Sequence, residues 1–195
     1  IDALNKLKRY DDAVAIGKKY FAGVKENKYA LGSLCFAVYM SKVNPHLRDE
    51  VVTNETAKTA GWIIENFPKD AKNFIWFNSL FRAVEYYLSH NDLQKAGSLL
   101  SLAKVDEFSD EVKEIVREGK TIKVKSERSK YLKFSFELAK AKGENQEALR
   151  LSELMLENDP SDVWNLRRKA LVLEALGKKE EAMALYKQIL QRKTD

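Results

Sequence analysis

Cysteine is almost absent from this chain of 195 residues, and with Cys35 alone no disulfide can form within it. That residue lies in the apolar run Leu34-Cys35-Phe36-Ala37-Val38, where a thiol packs as a small hydrophobe. Proline occurs 3 times and glycine 8 times, too few turn formers for a β architecture built from many short strands. No apolar run approaches the roughly 20 residues that span a bilayer, and the amino-terminal residues lack the basic, apolar and small-residue order of a secretion signal. A soluble, cytoplasmic chain is expected. The two histidines, His46 and His90, stand in polar connections without the surroundings of a metal-ligand set. Walker, GxGxxG, GxSxG and HExxH motifs are all missing, so the expectation is no enzyme, no metal and no cofactor.

What remains is dominated by Ala, Leu, Glu and Lys, the residues that lose least on entering a helix. A hydrophobic content of 45% over this length is enough to bury a core in one domain or one continuous array. The fold class expected is all-α. Apolar residues at three- and four-residue steps predict a helix over 10–24 through Ala13, Ile16, Tyr20 and Val24, and its partner over 27–43. Proline at 45 interrupts the pattern. A new helix is expected just after it, running through Ala57, Ala60, Ile63 and Ile64 to Phe67, where Pro68 stops it. Residues 74–88 carry Trp76, Phe77, Phe81, Tyr86 and Tyr87 on most sides, the mark of a helix sandwiched among others. Residues 110–117 are read as a short helix, and the alternating stretch 118–125 as an extended connection.

The last third repeats at a spacing of 34 residues: Gly143 recurs as Gly177, Glu147 as Glu181, Ala148 as Ala182, Leu151 as Leu185 and Leu156 as Leu190. Glycine ends one helix, and an alanine five residues later lets the next approach closely. The same turn form precedes Ala13 and Ala96. With Ala170, Tyr186 and Pro160 also at the expected places, residues 129–195 resemble two units of the tetratricopeptide repeat family. That resemblance implies a right-handed α-solenoid of about ten helices, regular over 129–195 and irregular over 1–128. It also implies a non-catalytic scaffold or adaptor that holds a peptide or protein in a concave groove. The chain opens at Ile1 directly in helix-like sequence, so a piece of a longer protein is expected.

Carried over in register, the groove-lining positions fall on Asn78, Phe81 and Glu85, on Lys130, Lys133 and Glu137, and on Trp164 and Arg167. Phe81 and Trp164 would be apolar anchors, and Lys130, Lys133 and Arg167 cations for an acidic partner. The chaperone carboxylate clamp of the family is not expected, because Glu137 stands where that clamp has an asparagine and a carboxylate there repels another. The alternative reading rests on charge. Lys120, Lys123, Lys125, Arg128, Lys130 and Lys133 face one acid, Glu127, an excess equal to the +5 of the whole chain. Such a patch would suit nucleic acid through counterion release.

Overall fold

The computed structural model describes residues 1–70, 72–117 and 119–191, leaving out the side chains of Ile115, Arg117, Ile122, Lys123 and Asn158. The chain divides into two compact units, Ile1–Glu107 and Phe108–Asp195. Most of the described residues are helical, and successive helices pack on one another. No helix among them is long and apolar enough to cross a membrane.

The first unit holds α1 (Asp2–Lys6), α2 (Tyr10–Lys19), α3 (Phe21–Glu26), α4 (Lys28–Val38), α5 (Asn54–Asn66), α6 (Phe74–Ser89) and α7 (Leu93–Leu100). The helix expected over 10–24 is broken at Tyr20, whose backbone (φ −112°, ψ 27°) leaves the helical region and turns the chain from α2 into α3. Asn27 starts α4 by accepting hydrogen bonds from the amides of Tyr29 and Ala30. The turns of α4 widen into a π-helical segment, Tyr39–Val43. Glycine at 17 permits a close approach of α2 to α4, since a Cβ there would run into Leu34 Cδ1. Cys35 is fully buried, and burial pushes its thiol up to about 12, so the thiolate needed for reactivity does not form near neutral pH.

The helix expected immediately after Pro45 begins later. Residues Asn44–His46 make only a short 3₁₀ turn, and α5 starts at Asn54 behind Thr53, whose hydroxyl accepts from the Thr56 amide. A side-chain cap placed the start, whereas proline merely ended what preceded it. The aromatic helix α6 matches its expected span and supplies the largest buried side chain, Trp76, at 1% exposure.

The second unit opens on a hairpin, β1 (Lys113–Arg117) and β2 (Lys120–Val124), followed by α8 (Glu127–Lys142), α9 (Asn145–Asn158), α10 (Val163–Ala175) and α11 (Lys179–Gln191). The hairpin corrects the reading of 110–117 as helix and of 118–125 as an unpaired connection, and qualifies the all-α expectation. The strands pair antiparallel, with Lys113 opposite Val124 and Arg117 opposite Lys120. Gly119, at φ 74°, takes the left-handed conformation that a two-residue turn requires. β-Branched residues on both sides, including Val116, Thr121 and Val124, suit the pleat.

The 34-residue echo has a backbone counterpart. Gly143 and Gly177 lie at φ 75° and 77° and close α8 and α10 in the same way: the Glu144 amide donates to the Ala139 carbonyl, and the Lys178 amide to that of Leu173. Ala148 and Ala182 are both buried, and Ala170, Leu173 and Ala182 form a core cluster against which Leu149, Leu185 and Tyr186 pack. Eleven α-helices stand among the described residues, against about ten expected.

Candidate functional site

Two polar caps position the strongest candidate site, which lies within the second unit. Ser126 begins α8 by accepting from the Ser129 amide, and Asp162 begins α10 by accepting from the Asn165 amide. The first turns of these helices, with the end of α9, enclose a cleft of about 420 Å³. Lys130 and Lys133 enter it from α8, Asn165 and Arg168 from α10 and Met155 from α9.

The cations in the cleft, and Arg128 beside it, are unequally engaged. Lys125 pairs with Asp162 at 3.0 Å, and Arg128 with Asp110 at 2.7 Å. Lys133 reaches Glu137 at 3.7 Å and sits 5.0 Å from the centre of the Phe134 ring, while Arg168 donates to Asn165 Oδ1 at 3.0 Å. Lys130 has no ion pair among the described residues. Burial lowers its ammonium below the ordinary 10.5; Glu127 opposes that shift and Lys113 adds to it. A partly buried ammonium that feels the Glu127 charge but makes no direct ion pair favours an arriving anion.

Asp162 shows why α10 begins where it does. Burial raises its carboxyl, but the Asn165 amide, the ammonium of Lys125 and the Trp164 amide together overcome that effect and hold it below the ordinary 3.8. A depressed carboxylate contributes stability that is complete above the unfolded value and lost as pH falls through the folded one. Asp162→Ala is expected to cost about 1 kcal/mol, read as a lower urea midpoint at neutral pH. Asp162→Asn keeps a capping oxygen, so it should retain much of that stability while flattening the decline of the midpoint below pH 4.

A second cavity, of about 530 Å³, is lined by Val163, Trp164, Arg167, Tyr186, Ile189 and Leu190. Four of these are 34 residues beyond lining residues of the first cleft: Val163 beyond Ser129, Trp164 beyond Lys130, Arg167 beyond Lys133 and Ile189 beyond Met155. The two cavities are one location in successive helical pairs, the first lined by Lys125, Lys130, Lys133 and Arg168 against Asp110, Asp159 and Asp162, the second apolar apart from Arg167. Trp164 is 63% exposed, so its indole faces outward.

Other residues singled out from the sequence are distributed differently. Asn78, Phe81 and Glu85 lie on α6 in the first unit, where they serve its packing. Asn78 Nδ2 donates to the Tyr39 hydroxyl at 2.9 Å, Phe81 is 4% exposed with its ring 6.2 Å from that of Phe77, and Glu85 accepts from Arg82 at 2.7 Å. Lys120 is exposed on β2, and the side chain of Lys123 lies outside the described ones. His46 Nδ1 lies 2.7 Å from Asp49 Oδ2, and the His90 ring stacks on Tyr86 with centres 4.1 Å apart. Among the described residues no three His, Cys, Asp or Glu side chains converge as metal ligands.

Sequence reasoning passed over Arg168 and Asn165. Helical geometry offered the signal: Asn165 and Arg168 are three apart and share a face, whereas Arg167 points about 100° away from Arg168. Comparison with protein-family models, with curated proteins and with solved structures finds no match to this chain.

Proposed function

We propose that this chain is a non-catalytic interaction scaffold, similar in its second unit to tetratricopeptide repeats, that holds an acidic peptide segment of a protein partner. The observation that carries the reading is the ammonium of Lys130, partly buried and unpaired, in a cleft shared with Lys133 and Arg168. Carboxylates of a peptide laid across α8 and α10 would give Lys130 the direct ion pair it lacks, and the exposed indole of Trp164 an apolar anchor beside it. Repeat-like packing supports the reading, because paired helices that bury alanine at their contacts leave the outer rows of side chains free for recognition.

The nucleic-acid alternative draws less support. Of the cations that compose the basic segment, Lys125 and Arg128 are engaged by Asp162 and Asp110, which lowers the charge available for phosphate.

The reading is tested with fluorescent peptides in which Asp and Glu alternate with Leu and Phe. Saturable binding should weaken at least tenfold in the Lys130→Glu, Lys133→Glu double variant, with helical circular dichroism retained. Equal affinity for the variant would remove the cleft as the site. Random-sequence RNA, bound with a steep salt dependence that Lys120→Glu and Lys125→Glu abolish, would put the nucleic-acid reading in its place.

A further inference from the structure

Helices α2, α3, α4 and α5 of the first unit surround a hollow of about 420 Å³. Two features of the packing leave it open. The backbone at Tyr20 departs from the helical region, so α2 ends and the chain resumes at Phe21 as α3. On the other side α5 packs chiefly on α6 and on the π-helical segment Tyr39–Val43, and less on α4. Every residue that lines the hollow falls between 18 and 62, and helices before and after α4 both contribute.

The lining is apolar in its depth and cationic at its edge. Leu34 and Val38 are 1% and 6% exposed yet reach the hollow, which therefore extends to the packed core. Phe21 and Trp62 are half-buried and meet with ring centres 6.1 Å apart and planes tilted by 51°. Lys18 and Lys58 are exposed, an arrangement in which the stems cover apolar surface while the ammonium groups stay in water. Neither ammonium makes an ion pair among the described residues, and no carboxylate lines the hollow. The Lys130 cleft differs, since Asp110, Asp159 and Asp162 share it. The Thr59 hydroxyl and the Trp62 indole N–H also have no hydrogen-bond partner among the described residues.

Volume and chemistry together name the class of ligand. Small-molecule sites commonly hold roughly 300–1,000 Å³ and combine an apolar lining with a few polar groups. An alkyl body would displace water from Leu34 and Val38 and needs no hydrogen bonds there. An inserted extended peptide would bury backbone amides with only Thr59 and Trp62 to meet them, at a cost in desolvation. The uncompensated ammonium groups favour a negative head group.

We infer that this hollow binds a small amphipathic anion, an alkyl chain ended by a carboxylate, with the chain against Leu34 and Val38 and the head group near Lys18 and Lys58. The site does not rest on the Lys130 cleft or on what that cleft holds.

The test titrates decanoate into the isotope-labelled whole chain and follows the indole N–H signals of its tryptophans, with Trp62→Phe identifying that of Trp62. Saturable shifts should appear at Trp62 while Trp164, in the second unit, stays unmoved. Replacing both cations, Lys18→Gln with Lys58→Gln, should weaken decanoate about fivefold, the size of an exposed ion pair, and leave decanol unaffected. Thr59→Phe should fill the hollow and abolish binding with helical circular dichroism retained. The Lys130→Glu, Lys133→Glu variant should bind decanoate as the native chain does, which separates this site from the cleft. Absence of saturable shifts at Trp62, an affinity that the two glutamines leave unmoved, or decylammonium bound as tightly as decanoate would overturn the inference. Displacement of decanoate by a lower concentration of a peptide ending in Leu-Phe would also overturn it, and would assign the hollow to a protein partner.

Discussion

Replacing Trp76 with alanine is expected to destabilise the first unit by about 3–5 kcal/mol, the range for deleting a large aromatic from a packed core. Trp76 is the largest fully buried side chain, and it stands on a helix whose neighbouring positions Ile75, Phe77, Leu80 and Phe81 are buried as well. Such surroundings have little room to collapse into the vacated volume, so both the transfer and the cavity contributions are lost. Urea denaturation followed by circular dichroism at 222 nm should show the midpoint of the first unit falling. Trp76→Phe should cost much less. The indole N–H is buried with no hydrogen-bond partner among the described residues, and phenylalanine removes that unpaired donor together with part of the ring. A full loss in Trp76→Phe would contradict this account.

Arg82→Met is expected to cost about 2–4 kcal/mol, because a buried guanidinium that makes several hydrogen bonds leaves unpaired acceptors behind. Arg82 is 6% exposed. Its Nη1 donates to Glu85 at 2.7 Å, and its Nη2 donates to the carbonyls of His46 and Asp49, the latter at 3.0 Å. One side chain thus pins the connection between α4 and α5 to the buried helix α6. Methionine keeps much of the stem's volume and none of its donors. Lysine restores the charge but not the planar fork that reaches separate oxygens, so Arg82→Lys should recover only part of the loss. Besides a lower urea midpoint, the Met variant should be cut by trypsin after Arg48 faster than the native chain. An unchanged cleavage rate would show that the connection is held by something else.

These two residues mark how far local sequence reasoning reaches. The apolar character of α6 is visible in its periodicity, and so is the burial it implies. Nothing near Arg82 in sequence announces its carbonyl partners, which lie 36 and 33 residues away. The hairpin was missed for the same reason. Lys113–Arg117 becomes a strand by pairing with Lys120–Val124, and each segment alone is short and ambiguous. The helix starts behind Asn27 and Asn73 fall where the apolar periodicity begins, whereas behind Thr53, capped by its side chain in the same way, proline drew the expected start too early.

For the candidate site, the sequence identified Lys130 and Lys133 through their repeat positions but could not rank them. Lys130 stands out only once folding has partly buried it without a direct ion pair, while Lys125 and Arg128, equal to it in charge, have paired with carboxylates. Phe81 and Trp164 were alike as candidate anchors, and packing has buried the first while leaving the second 63% exposed.

By itself, then, the sequence determined that the chain is mainly helical and that Gly143 and Gly177 end equivalent helices in the same manner. Helix periodicity, caps and left-handed glycines act over a few residues, where the chain carries its own instructions. Tertiary structure alone decided which cations remain without an ion pair and which aromatics face outward. Those properties are set by neighbours brought together from distant positions, through burial and pairing that no local pattern contains.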